Sequence, residues 1–391
     1  MSGWSFCRRF LVISGLALIA TLAAISASAD PDPPLVDGGT TTFSDNWVVD
    51  PGDILTYTNQ TIVLDGNLTI EANGVLELVN STLVMNCTFP GEFGVNVVHL
   101  GWWNVTLGSR IVTGGPGHGW YAVVESDAHL LISDSLIKGA GYSSPLGILR
   151  AGVYSEANGT TVVNTEFLDC YAGMILVDLA APRITECRFT NATYAGIWVE
   201  QNCTDIGLVN LTFTSCFRGV LVRDCRNCIV RNGMFIGGDR GIEVIDGEGK
   251  SVNCHFINQS YAAFISGSGG DGLMWVDGES SVVNTKFYLN GSLLVRGSGH
   301  LLISNSSFYV LNEGTSIGND IEVFDFASLV ISNGSLVSNG DTGNPFYFRV
   351  WSKGHLNLTD STIEGVGTNF AYSGLELDSY NNVVREIGRA H

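Results

Sequence analysis

The chain has 391 residues, 45% of them apolar and only 15% charged, which excludes a disordered polyelectrolyte. A net charge of −19 offers no attraction to nucleic acid or to an anionic membrane surface, so neither is expected as a partner. With 48 Gly and 29 Asn but four Lys, the composition suits a turn-rich β protein, because Gly and Asn oppose helix interiors.

In chain order, Met1–Arg9 carries Arg8 and Arg9, residues 10–25 are apolar, and Ala27-Ser28-Ala29 fits a small-residue cleavage site. Residues 1–29 therefore read as a signal peptide, too short to span a bilayer comfortably, and no second apolar run of spanning length follows. Its removal takes the net charge from −19 to −21, since it holds two Arg and no acid. Residues 30–50 read as a stiff linker and N-terminal cap region, and 51–391 as one repeat domain.

The repeat is a four-residue pattern: Asn or Asp, two residues, then Phe, Leu or Ile. It runs through Asn80, Asp134, Asn164, Asn210, Asn232, Asn253, Asn284, Asn305, Asn333 and Asp360, with Gly108 and Glu186 filling two gaps. Twelve copies from 80 to 360 give a period of about 25 residues. Gly173, Gly196, Gly219 and Gly241 keep step with it, each opening a short apolar strand. Every unit alternates apolar and polar residues with period 2, and none carries a helical stripe. Units this short cannot stand alone, but stacked they share one core. The expectation is an all-β, right-handed parallel β-helix of about 12 rungs, roughly 50 Å long at 4.8 Å per rung. The leading Asn is assigned to a left-handed corner, with its amide bonded to the Asn one rung away.

The block from Gly66 to Met85, followed by Asn86-Cys87-Thr88 and Gly91 to Val95, resembles the opening of secreted right-handed parallel β-helix repeat proteins, archaeal ones in particular. The rungs from Gly152 to Ala263 are similar to the pectate-lyase-like superfamily, in its carbohydrate-associated branch. The resemblance implies the fold and an association with carbohydrate; a fold of this kind hosts many unrelated activities.

Fourteen Asn begin Asn-X-Ser/Thr, about threefold more than chance, which reads as N-glycosylation of an extracellular or cell-surface protein. Asn59, Asn104, Asn158 and Asn290 are the glycan candidates, whereas Asn80, Asn210, Asn305 and Asn333 belong to the ladder and are expected to face inward. Among the cysteines, Cys170/Cys216 and Cys187/Cys254 lie two and three rungs apart, beyond the roughly 7 Å reach of a disulfide. Cys203 and Cys225 fall in adjacent rungs and are the expected bridge. Cys225-Arg-Asn-Cys228 lacks a second ligand pair, so no metal site is expected there.

Strand alternation points Ile197/Val199, Val220/Val222, Ile242/Val244 and Ile321/Val323 inward. The intervening Trp198, Glu200, Leu221, Arg223, Glu243, Trp275, Asp277, Arg296, Glu322, Arg349 and Trp351 then form one outward stripe. Interleaved Trp, carboxylate and Arg suit a saccharide, through ring stacking and hydroxyl or uronate hydrogen bonds. Gly117-His118-Gly119 resembles the Gly-His-Gly of β-helix polygalacturonases, but the family's accompanying Asp pair is missing and the order differs, so His118 reads as a turn residue.

The resulting expectation is a secreted, N-glycosylated, non-catalytic solenoid that is structural or binds polysaccharide or a cell-surface glycan. The alternative is a polysaccharide lyase or glycoside hydrolase, with Glu243, Asp277 and Arg223 as catalytic candidates. Calcium is the one cofactor a lyase of this kind would need, with Asp224, Asp246 and Arg223 nearest to such a cluster. The polar ending after Val383 leaves the last rung an open edge, which invites self-association.

Overall fold

The computed structural model describes residues 38–143, 150–225, 227–245, 248–252, 254–266, 273–277, 279–283, 286–289, 292–295, 300–310, 320–324, 326–338, 347–351, 353–363, 375–377 and 383–387. Residues 1–29, expected to be a signal peptide, lie outside this set. Among the described residues every strand pairing is parallel, and no helix is long and apolar enough to cross a membrane. A 14-stranded sheet takes one strand from each turn, and a 26-stranded sheet takes two, which we call its first and second arms. The chain is a right-handed parallel β-helix. Thr40–Phe43 and Trp47–Val49, within the region expected as linker and cap, already pair with Thr61–Leu64 and Leu68–Ile70.

The corners are left-handed, as the Asn pattern requires. Asn59, Asn80, Asp134, Asn164, Asn210, Asn232, Asn305, Asn333 and Asp360 have φ between 46° and 58°, a region that Asn and Asp tolerate better than other side chains. The ladder begins one turn before the twelve copies, at Asn59. Asn80 donates Nδ2–H to Asn59 Oδ1 at 2.7 Å, Asn164 to Asp134 Oδ1 at 2.7 Å, and Asn232 to Asn210 Oδ1 at 2.7 Å. The ladder faces outward: Asn80, Asn210, Asn305 and Asn333 are exposed, correcting the expectation that they point inward. A corner in the left-handed region turns its side chain off the core, and the core is filled instead by the apolar residue three positions on.

Those residues stack. Phe167, Phe189, Phe213, Phe235 and Phe256 lie in successive turns with ring centroids 4.8, 5.1, 4.8 and 4.6 Å apart, all buried. The Gly series exists because of this stack. A Cβ on Gly196 would stand 2.7 Å from the Phe213 ring and 2.8 Å from the Gly219 carbonyl oxygen, and Gly173 and Gly219 are as tightly placed.

The repeat changes phase midway. In the N-terminal turns Thr161–Val163 belongs to the 14-stranded sheet, Asn164 makes the corner, and Glu166–Leu168 and Ala172–Val177 lie in the first and second arms. Between Asn253 and Asn284, 31 residues apart rather than the preceding 21, the strand Leu273–Asp277 is inserted into the 14-stranded sheet. From there Glu279–Val283 and His300–Ser304 occupy the first arm, and the strand after the Asn corner, Ser307–Val310, moves into the second. The single Asn ladder read from the sequence is therefore two ladders, on different corners.

Candidate functional site

The phase change splits the expected outward stripe. Trp198, Glu200, Arg223 and Glu243 stand on the second arm, where Trp198 pairs with Leu221 and Leu221 with Glu243. Trp275, Glu322 and Arg349 follow one column of the 14-stranded sheet, through Lys250, Trp275, Leu294, Glu322 and Arg349. Asp277 ends the same strand as Trp275, and Arg296 lies outside the described residues. Catalytic candidates Glu243 and Asp277 thus sit on different sheets.

On the second arm the alternation itself holds. Ile197, Val199, Val220, Val222, Ile242 and Val244 fill the interior, while Trp198 and Leu221 join Tyr154, Ile175 and Val177 in a second apolar cluster on the opposite face. That face is not open: Trp198 and Glu200 are each 5% exposed and Glu243 is 2% exposed. Their polar groups are spent on each other, as burial demands. Trp198 donates Nε1–H to Glu200 Oε2 at 2.5 Å, and Arg223 reaches the same oxygen at 3.7 Å while its guanidinium lies 5.6 Å from the Trp198 ring. Burial pushes the Glu200 carboxyl above its ordinary range, against the pull of Arg223. Glu243 is held between Arg218 and Arg240, and Arg218 also lies 4.6 Å over the Tyr194 ring. Glu322 repeats the triad on the other sheet, accepting from Trp351 Nε1 at 2.6 Å and pairing with Arg349 at 3.5 Å. These residues are internal struts of the described structure.

The open concavity lies elsewhere, at the corner between the two arms. A cleft of about 690 Å³, within the size range of ligand sites, is lined over successive turns by residues 113–119, Lys138, Gly139, Gly141, Tyr142, Asp169, Tyr171 and Thr193, with Pro90 at one end. Glycine makes it. Gly139 and Gly141 have φ of 72° and 84°, and a Cβ on Gly119 or Gly141 would stand 2.2 or 1.8 Å from a backbone oxygen of the adjoining segment. The floor is bare backbone, and the side chains stand at its sides.

Three groups give the cleft its chemistry. Tyr171 stacks on Tyr194 at 5.2 Å and presents an aromatic wall. Lys138 and Asp169 approach to 3.8 Å, and Asp169 Oδ1 also accepts from Asn191 Nδ2 at 3.1 Å, so the carboxylate is aimed by the turn above it. His118 Nδ1 lies 3.0 Å from the Cys87 carbonyl oxygen. A carbonyl only accepts, so Nδ1 carries a proton, and Nε2 is the ring nitrogen left to face the cleft chemistry. The Gly-His-Gly segment is a turn, as read, but one that lines the cleft. The sequence signal for the cleft was its density of Gly in 114–119 and 139–141.

His99, Glu125 and Asp127 bring one nitrogen and two carboxylates together, with His99 Nδ1 3.9 Å from each acid. Of the calcium candidates, Asp224 follows the strand that ends at Arg223, and Asp246 is outside the described residues. Of the glycan candidates, Asn59 and Asn158 are exposed, Asn104 is half-buried in the strand Trp102–Thr106, and Asn290 is outside the described residues.

Residues 122–274 match the family described as "Right handed beta helix region". The chain thus has the right-handed parallel β-helix fold, with the matched segment at its centre. Comparison with curated proteins finds no match. Among solved structures, variants of the periplasmic alginate epimerase AlgG align with it. One is 12% identical, covering 96% of each chain with a TM-score of 0.32; another is 11% identical, covering 89% of this chain and 85% of that one, with a TM-score of 0.33. No functional argument rests on likenesses of that size.

Proposed function

We propose that the protein is a secreted, non-catalytic β-solenoid that binds polysaccharide or a cell-surface glycan, with the inter-arm cleft as its binding groove. The observation that carries this reading is the cleft itself: an open trough across successive turns, with a Tyr wall for sugar faces and Lys138, Asp169 and Thr193 for hydroxyls. Stacked turns advance about 4.8 Å each, so such a trough follows a linear chain. The apolar run before residue 30 and the sequon excess support export and glycosylation, at Asn59 and Asn158 first.

One observation favours the lyase alternative: His118, whose Nε2 is the nitrogen left for proton transfer, lies in the cleft. Hydrolysis by two carboxylates has less support, since Asp169 is the one acid among the cleft's lining residues. The test is to pass the full chain over neutral and acidic polysaccharides, with and without calcium, and to count new chain ends. Selective retention lost in Tyr171→Ala and Lys138→Met, without new ends, is expected. New ends would establish the lyase reading instead, and absence of both retention and cleavage would overturn the binding role.

A further inference from the structure

The eight described cysteines are all buried thiols. Cys187 and Cys254 stand where other turns place Ser81, Ser109 and Ser135, one residue past the corner that leads into the first arm, and Ser306 and Ser335 hold the same place at the inter-arm corner. Each of those hydroxyls donates to a carbonyl two or three residues back and to one in the preceding turn: Ser135 reaches Ser133 at 2.6 Å and Val105 at 3.1 Å. Cys187 does the same to Thr185 at 3.2 Å and Val162 at 3.6 Å, and Cys254 to Val252 at 3.6 Å and Val230 at 3.4 Å. Cys170 and Cys216 repeat the device at the inter-arm corner, with Ala192 between them in the intervening turn. Four thiols are thus hydroxyl substitutes, each separated from its like by at least one turn.

Cys203 and Cys225 differ. Glu200 and Arg223 are register partners in adjacent turns, and the two cysteines follow them by three and two residues, around the same corner. Cys203 Sγ–H points to the Glu200 and Leu176 carbonyls at 3.3 and 3.4 Å and Cys225 Sγ–H to Arg223 at 3.0 Å, and the two thiols lie close enough to perturb each other's titration. We propose that Cys203 and Cys225 are the protein's disulfide-forming pair and that Cys170, Cys187, Cys216 and Cys254 remain thiols. The interaction between Cys203 and Cys225 lowers the pKa of the one and raises that of the other. Burial pushes Cys187, Cys216 and Cys254 up to about 11, which leaves them unreactive.

The oxidant is a disulfide, of a thiol–disulfide oxidoreductase or of glutathione. The thiolate of one of the two cysteines attacks one of the oxidant's sulfurs and expels the other as a thiol; the second cysteine then loses its proton, attacks the first cysteine's sulfur and expels the second thiol. Two protein thiols become one disulfide while the oxidant's disulfide becomes two thiols. Because both sulfurs are buried, the reaction belongs to folding, before that corner closes.

The full chain, reduced and denatured, would be refolded in mixed reduced and oxidised glutathione, alkylated, digested and mapped by mass. A linked Cys203–Cys225 peptide, lighter by two hydrogens than its parts, with Cys170, Cys187, Cys216 and Cys254 alkylated only after denaturation, is expected. Alkylated Cys203 and Cys225 in the refolded chain, or Cys225 joined to Cys228, would overturn the assignment. The double variant Cys203→Ser/Cys225→Ser guards against misfolding as a cause: it should keep its β circular dichroism and yield no linked peptide, and a linkage among the remaining cysteines would also refute the proposal.

Discussion

Gly196→Ala tests whether the Gly series serves the Phe stack. The new methyl would stand 2.7 Å from the Phe213 ring and 2.8 Å from the Gly219 carbonyl oxygen, distances that real Cβ atoms do not show. Phe213 cannot yield, because Phe189 and Phe235 hold it at 5.1 and 4.8 Å, so the backbone of two turns must move apart. Overpacking of this kind costs about 1–3 kcal/mol. Gly207→Ala is the control: it is also a strand glycine, but nothing lies within 4 Å of its Cβ, so it should be neutral or gain about 0.5 kcal/mol from the unfolded state. Phe213→Ala should cost about 3–5 kcal/mol, and in combination with Gly196→Ala the loss should fall short of the sum by about 1 kcal/mol, since the methyl enters the vacated space. Urea unfolding followed by circular dichroism measures the midpoints, and amide exchange over residues 172–240 reports local loosening, which a solenoid permits. Equal midpoints for Gly196→Ala and Gly207→Ala, or full additivity with Phe213→Ala, would refute the reasoning.

Asn164→Ala should destabilise by about 1–2 kcal/mol, losing both the left-handed preference and the 2.7 Å bond to Asp134, while Asn164→Gly should cost less; the order reversed in urea midpoints would count against the corner argument. For Glu200, a carboxyl raised above its ordinary 4.5 binds its proton more tightly folded than unfolded. Its contribution is therefore most favourable below 4.5 and declines as pH rises from there through the folded value. Glu200→Gln, which can still accept from Trp198, should flatten that decline, and identical midpoint-versus-pH curves for the two proteins would reject it. Lys138→Met alone, at a pair that is 42% and 47% exposed, should change stability by less than about 1 kcal/mol while weakening retention on an acidic polysaccharide; a large stability loss would show the pair to be structural rather than a cleft wall.

The sequence by itself determined what is local. Period-2 alternation assigned Ile197, Val199, Val220 and Val222 to the interior, and Asn three residues before Phe marked left-handed corners, because both follow from the backbone geometry of a few residues. Stacking of those units into a right-handed parallel helix followed, since each leaves its backbone edges to be paired by a neighbour. What the pattern could not convey is which sheet a strand enters. The insertion of Leu273–Asp277 rotates the repeat by one face while leaving each unit's alternation intact, so Trp198 and Trp275 look equivalent in the chain and stand on different sheets. Nor does alternation distinguish an outward face that is solvated from one that is buried, as around Trp198 and Leu221. The cleft, too, was decided in three dimensions: Gly119, Lys138, Asp169 and Thr193 are far apart in sequence and meet because each turn returns the chain to the same corner about 4.8 Å further along.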